Sequence, residues 1–558
     1  MSREKIISIA YLAFVALLAA SIPVSRYMIS VFQFCLAGIF ILDGIKYSSV
    51  ASFNKTYSTL GIILRFIPFH VWIIFDGIAR QFKRLINNRP FLVFLLFSLV
   101  YILGLLHTTN INTALKVLRN NLPIFLLPLF FSAIKSIRKD QKNIILLFFV
   151  LSVTISSFIS FSIFWSGNYD DIRRISPFIN HIHLSIFISF SIFIVFHFLN
   201  SGVFNKLLKV PAAIVLIWLV VFQFMILKSL TGVIILFAGI YFIFVFQKLF
   251  GLQINKILRF AVVFVIPITA ILVLFFYVLR FYTVDELDPE SLELYTAKGN
   301  RYHHDLEPRM LENGHYVFIY ISEVEMREEW NKVSDYDYDS LDQKGQLLNY
   351  TLMRYLASKG LRKDAEGIQH LSSDDIRMVE QGFANHIFSR KLSLYPRIYQ
   401  VLWEFDMYFK TGNPTGHSAT QRLESLRMGL RIILKHPVFG VGTGDLFSSY
   451  HHEYDESGSQ VPRDKRITGA NQFLNFIVYF GFAGLILILF SWLYPAIRNK
   501  SFRNPIFVMF LFIACVAMFS EEILRFQTGV SFFAYFYSFF VLLDDAPGNK
   551  SLKTDDTV

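Results

Sequence analysis

Several arginines, lysines and histidines stand beside the apolar stretches of this chain, and their types and spacing are the first pointer to chemistry. "SGNYDDIRRISPFINHIH" holds Arg173, Arg174, His181 and His183. "ILKSLTG" holds Lys228, "TQRLE" holds Arg422, and "SEEILRFQTG" holds Glu521, Glu522 and Arg525. Beside a membrane, an ionisable group persists only when it is paired or used. A guanidinium grips phosphate oxygens with two parallel hydrogen bonds and keeps its charge in a dry site. Cations drawn from separate loops on one side of a membrane would form a pyrophosphate pocket. The same charges would also serve as topology signals and headgroup contacts, and residue type alone does not separate the two roles.

"RITGANQFLNFIVYFGFAG" (466–484) begins polar and turn-rich and continues as an apolar run. Ala470 sits at the junction, between Gly469 and Asn471. A polar start to a membrane helix usually presents a working side chain, and a methyl group cannot carry a proton. The remaining clusters are weaker. His181 and His183 lack carboxylates at ligand spacing, so no metal site is read there. His303, His304 and Asp305 read as a surface turn. "FGVGTGD" (439–445) is glycine-rich but lacks the lysine and preceding strand of a P-loop. It fits either a backbone nest for an anion or a tight turn that lets a helix pack closely. Cys35 and Cys515 fall inside apolar runs and read as packing residues, with no disulfide framework.

The elements that must position these residues follow from composition. The chain has 558 residues, 54% of them hydrophobic and only 17% charged, well short of the roughly 25% charged residues of soluble proteins. Repeated apolar runs of about 20 residues predict an all-α polytopic membrane protein. The first run reads as a retained helix rather than a signal peptide, because a second span follows at once. Twelve spans are expected, near 5–23, 27–46, 91–107, 115–134, 143–165, 182–199, 210–226, 230–247, 258–280, 471–491, 505–520 and 529–543. With the N-terminus in the cytoplasm, cytoplasmic segments hold 23 Lys and Arg and the short outer loops hold 5, which predicts both termini inside. The segment at about 57–80 carries Arg65, Pro68, His70 and Asp76 among apolar residues, and reads as an interfacial amphipathic helix.

The expected organisation is a bundle of nine spans over 1–280, a large helical outer domain over 281–469, three spans over 470–545 and a polar tail over 546–558. Residues 281–469 hold 22 basic and 29 acidic residues, so the rest of the chain carries +19 of the net +12. That excess lies in short loops and reports topology, not nucleic-acid binding. Within 281–469, "KGQLLNYTLMRYLASKG" and "SATQRLESLRMGLRIILKHP" show helical spacing. In the second, Leu423, Leu426, Leu430 and Ile433 line one face, Ser418 or Thr420 would cap the start, and "HPVFG" would end it.

Taken together, "ENGHYVFIYISEVEMREEWNKVS", "GQLLNYTLMRYLASKGLRKDAEG", "GNPTGHSATQRLES", "HPVFGVGTGD", "ANQFLNFIVYFGFAG" and "SEEILRFQTGVSFFAYFYS" resemble the O-antigen ligase family in its Bacteroidetes-like form. They run from about residue 300 to the last span. The resemblance implies a GT-C type, metal-independent glycosyltransferase of the bacterial inner membrane. Its donor would be a glycan on undecaprenyl pyrophosphate, its acceptor a hydroxyl of lipid A–core, and its active site would face the periplasm. The family's pattern of His, a polar residue, nine residues and Gly falls on Ala470, Asn471 and Gly481, with Gly484 following. The position of the catalytic base is therefore alanine. An engineered substitution, a natural variant and a shifted register involving His451 or His452 all account for it, although the last breaks the spacing to Gly481. Where the family has Ser-Arg-x-Gly, this chain has Ser229-Leu230-Thr231-Gly232, with Lys228 as the nearest cation. Arg422 matches best. The expected donor pocket is Arg422 with Lys228, Arg173 and Arg174, and Glu521, Glu522 and His181 would support it. An O-antigen polymerase or a protein O-oligosaccharyltransferase would share the donor and differ in acceptor. A lipid-linked glycan transporter would be expected to show internal repeats and mid-membrane charges, and neither is evident here.

Overall fold

The computed structural model describes residues 3–45, 69–167, 172–282, 288–307, 310–389 and 395–543. In chain order the main helices are α1 (Arg3–Ser21), α2 (Arg26–Gly44), α3 (Phe69–Leu85), α4 (Arg89–Leu103), α5 (Ile111–Ala133), α6 (Lys139–Ser166), α7 (His181–Asn200), α8 (Lys206–Val221) and α9 (Leu230–Val245). Next come α10 (Ile266–Tyr282), α11 (Glu323–Val333), α12 (Leu348–Ser358), α13 (Ala365–Gln369), α14 (Ser373–Glu380) and α15 (Tyr395–Thr411). The chain ends with α16 (Ser418–Lys435), α17 (Leu446–Glu456), α18 (Gln472–Arg498), α19 (Pro505–Ser520) and α20 (Gln527–Val541). Among the described residues the only paired strands are Leu311–Glu312 and His315–Tyr316. The protein is therefore all-α. Among the described residues, eight helical stretches are long and apolar enough to cross a membrane: α1, α2, α5, α6, α7, Lys206–Leu227, Lys256–Leu279 and α18. The apolar helices α4, α9 and α19 are shorter.

The chain divides into two compact units, one of residues 1–259 with 412–558 and one of Phe260–Thr411. The second unit is thus displaced from the expected 281–469. It takes in residues 260–280, and it leaves α16 and α17 in the unit that holds most of the apolar helices.

In the larger unit α20 is enclosed nearly all round. Its tyrosines satisfy their polar ends on neighbouring backbones: Tyr535 donates to Val15 O at 2.8 Å and Tyr537 to Trp492 O at 2.5 Å. Phe94 stacks on Tyr537 with ring centroids 4.5 Å apart. These contacts combine large apolar burial with a satisfied hydroxyl, the condition for burying tyrosine. Cys35 and Cys515 are free thiols. Of the expected interfacial helix, residues 57–68 lie outside the described residues. The remainder is α3, whose Gln81 donates to Asp43 Oδ2 at 2.7 Å.

α18 is broken at Gly481, where φ is +66°. The segment 437–445 fills the break. Phe482 N and Ala483 N donate to Pro437 O and Val438 O at 2.8 and 3.2 Å, while Val441 N and Gly442 N donate to Val478 O and Tyr479 O at 2.8 and 2.9 Å. The backbone groups freed by the break are thereby satisfied, as burial requires. This favours the close-packing reading of "FGVGTGD": Val441 N and Gly442 N bind this helix, and Thr443 N and Gly444 N bind Gly104 O and Thr108 Oγ1.

The buried face of α16 differs from the expected one. Glu424, Ser425, Met428, Gly429, Ile432 and Ile433 are buried, whereas Leu423 and Leu430 are exposed. The reason is close approach. A Cβ at Gly429 would lie 2.3 Å from Leu474 and 2.5 Å from the Tyr450 hydroxyl, so small residues face the neighbouring helices α17 and α18. Neither Ser418 nor Thr420 caps the helix by its side chain, because His417 occupies the N-cap position. The helix does end at Lys435, before "HPVFG".

In the smaller unit Met326, Trp330, Leu352, Tyr355 and Leu356 form a core. The buried Glu312 accepts from Arg354 Nε at 2.8 Å, Asn385 Nδ2 at 2.7 Å and Tyr399 Oη at 3.2 Å. Such multiple satisfaction is what a buried carboxylate needs. His303 and His304 do not form a turn. His303 pairs its backbone with Ile321, and His304 Nδ1 accepts from Tyr320 N at 3.1 Å.

Candidate functional site

The start of α18 is built by consecutive polar side chains. Asn471 caps the helix, its Oδ1 accepting from Leu474 N at 3.0 Å, as N-cap asparagine does. Its Nδ2 donates to Phe519 O at 2.9 Å. Gln472 Oε1 accepts from Leu524 N at 2.9 Å. One turn on, Asn475 Oδ1 accepts from Tyr450 Oη at 3.1 Å. The start of α18 is thus tied to the segment 519–524 at two points.

The turn before it is equally constrained. Gly469 has φ +89°, and a Cβ there would lie 2.0 Å from Asn475 Nδ2. Gly469 N donates to Ser425 Oγ of α16 at 3.2 Å. Ala470 is buried between these ties. His451 and His452 lie within α17, and the residue that precedes the Asn471 cap is Ala470.

Arg422, three residues before Ser425 on α16, reaches the same segment. Its Nη1 donates to Ser520 O at 2.8 Å, and its Nη2 pairs with Glu521 Oε1 at 2.7 Å. Asn471 and Arg422 therefore bind three successive residues, Phe519, Ser520 and Glu521. Glu521 Oε1 also accepts from Thr231 Oγ1 at 3.5 Å. Thr231 stands on the first turn of α9, which Ser229 caps by accepting from Gly232 N at 3.4 Å. Lys228, just before that cap, is held in the left-handed region with φ +49°.

Burial and charge tune these groups. The Arg422 side chain is 37% exposed and that of Glu521 is 16% exposed. Burial raises the Glu521 carboxyl above its ordinary range, and Arg422 and Thr231 pull it back in part. Glu522 is enclosed, and burial pushes its carboxyl up to about 7, opposed by Arg525 and Asn475. Arg525 Nη1 stands 3.6 Å from Glu522 Oε2. Burial lowers Lys228, and no carboxylate pairs with it among the described residues.

Of the residues singled out in the sequence, Arg422, Asn471, Glu521 and Ala470 come together, with Lys228 three residues from the Thr231 that touches Glu521. Glu522 faces Arg525 instead. Arg174 is exposed on the short helix Ile172–Ile175, the Arg173 side chain lies outside the described residues, and His181 opens α7. His183 is a core residue, packed edge-on to Phe526 with centroids 5.8 Å apart. Sequence reasoning met Thr231 only as a departure from the family pattern, and it missed Ser425, Tyr450, Gln472 and Asn475. The Asn471–Asn475 spacing of one helical turn was the available signal for the last.

An arginine fork, a lysine with no carboxylate partner, a threonine hydroxyl and a helix N-terminus form a setting suited to an anion. Fold and site together define an all-α protein with membrane-length helices and a polar, cationic cluster where several of them end. Comparison with models of known families and with curated proteins gives no match in either case.

Proposed function

We propose that this chain is a glycosyltransferase of the O-antigen ligase type. It moves a glycan from undecaprenyl pyrophosphate to lipid A–core at the periplasmic face of a bacterial inner membrane. Twelve spans, cytoplasmic termini and an outer domain are part of this proposal. The observation that carries it is the convergence of Arg422 and Asn471 on Phe519, Ser520 and Glu521, beside the buried turn of Ala470. That convergence brings together the three sequence stretches to which the resemblance assigns the chemistry.

In this reading the acceptor hydroxyl oxygen attacks the anomeric carbon, and the bond from that carbon to the pyrophosphate oxygen breaks. The electron pair leaves with the lipid pyrophosphate, whose charge Arg422 and Lys228 stabilise. The hydroxyl proton passes to a base, and a histidine at position 470 would serve near neutral pH. Asn471 would orient that base or a sugar hydroxyl. With alanine at 470, proton removal falls to solvent or to the leaving phosphate, so this chain is expected to be slow or inactive.

The test is a paired assay of the purified chain and its Ala470→His variant, with undecaprenyl-pyrophosphate-linked glycan and lipid A–core. Product from the variant alone supports the base assignment. Product from both shows that the cations and positioning suffice. Product from neither overturns the ligase reading for this acceptor and directs the search to a second lipid-linked glycan or a protein hydroxyl.

A further inference from the structure

The Arg422 guanidinium is already occupied. Its Nη2 pairs with Glu521 Oε1 at 2.7 Å and its Nη1 binds Ser520 O at 2.8 Å. Beyond Arg422, the carboxylate contacts Thr231 Oγ1 at 3.5 Å, the weak limit of a hydrogen bond. It is mostly enclosed, while Arg422 keeps more than a third of its side chain exposed. A carboxylate and a phosphate offer the same two-oxygen face to a guanidinium. A pyrophosphate arriving at Arg422 must therefore compete with Glu521.

We propose that Glu521 is a built-in counter-anion, which holds Arg422 and Thr231 until a pyrophosphate displaces it and which thereby sets the affinity of the donor site. This deepens, and rests on, the donor-site reading of Arg422. The device keeps the guanidinium aligned when the site is empty, and it lets the product pyrophosphate leave once the carboxylate returns. Binding and release become an exchange of one anion for another on a fixed cation.

The experiment is binding of two probes, inorganic pyrophosphate and undecaprenyl pyrophosphate, to the purified full chain in detergent. Glu521→Gln keeps the shape and removes the charge, and about tenfold tighter binding of both probes is expected, the scale of one charge-assisted contact. Glu521→Asp keeps the charge but shortens the reach, and gives a smaller shift in the same direction. It carries the test if the Gln variant does not purify. Arg422→Ala weakens both probes. If inorganic pyrophosphate tightens and the lipid does not bind, the counter-anion stands and the ligase reading falls. Unchanged or weaker binding of inorganic pyrophosphate by both Glu521 variants overturns the proposal, whatever the lipid does.

Discussion

The Asp445 carboxylate receives the backbone N–H and the hydroxyl of Thr109 at 2.6 and 2.8 Å, from a residue 336 positions earlier in the chain. A third bond comes from Asn110 N at 3.0 Å. Two residues before Asp445, Thr443 Oγ1 donates to Tyr101 O at 2.7 Å. The segment that fills the break in α18 is thus anchored to the ends of α4 and α5. The half-helix that carries Asn471 is held through it.

Asp445→Ala removes three hydrogen bonds to a buried carboxylate and is expected to cost about 2–3 kcal/mol. Thermal unfolding of the purified protein in detergent measures it, and Asp445→Asn should fall between. A midpoint unchanged in both variants would show that the anchor is idle.

Gly481→Ala combines a positive φ with a Cβ placed 2.0 Å from Val438 O. Backbone meets backbone there, so nothing flexible can yield. The loss should exceed about 3 kcal/mol, read as failure to purify as a monodisperse species. A variant that purifies and melts normally would mean that segment 437–445 can move away from α18.

Asn471 has two jobs, and two variants separate them. Aspartate caps a helix as well as asparagine but cannot donate to Phe519 O. Asn471→Asp should therefore keep the cap and lose the tie, whereas Asn471→Ala loses both, with about 1 kcal/mol more destabilisation. Identical melting of the two variants would remove the cap from the account.

Arg422→Ala, made together with Ala470→His, should lower glycan transfer by about 10²-fold or more, the scale of losing one preorganised charge stabiliser. Near-normal transfer by the double variant, beside an active Ala470→His chain, would remove Arg422 from the donor site.

Glu522 gives the chain a pH-dependent stability. Its carboxyl is raised from 4.5 to about 7 in the folded protein. Between those values the unfolded chain has released the proton and the folded chain still holds it. Stability is therefore full below about pH 4.5, falls as pH rises toward 7, and levels off above it. Glu522→Gln, which cannot ionise, should flatten this component. Parallel pH profiles of melting for both chains would show that Glu522 does not titrate in this window.

Much of the fold is legible because membrane helices announce themselves by composition. Runs such as 143–165 and 182–199 contain the cores of α6 and α7, since a long apolar stretch has few other ways to satisfy its backbone in lipid. The end of α16 was legible for a local reason, the proline-containing "HPVFG" that follows Lys435. Its buried face was not, because α16 approaches its neighbours so closely at Gly429, where a Cβ would lie 2.3 Å from Leu474, that small residues such as Ser425 and Gly429 face the contact.

The sequence by itself determined which segments are helical and apolar, and it marked Arg422, Asn471 and Ala470 as unusual for where they stand. Only the tertiary structure decided that Arg422 and Asn471 bind neighbouring residues of one loop, that Glu521 rather than Glu522 meets Arg422, and that a glycine-rich stretch closes a broken helix. Helix periodicity depends on neighbours three and four residues apart, which the chain itself supplies. The site depends on groups about 100 to 290 residues apart, and only packing brings those together.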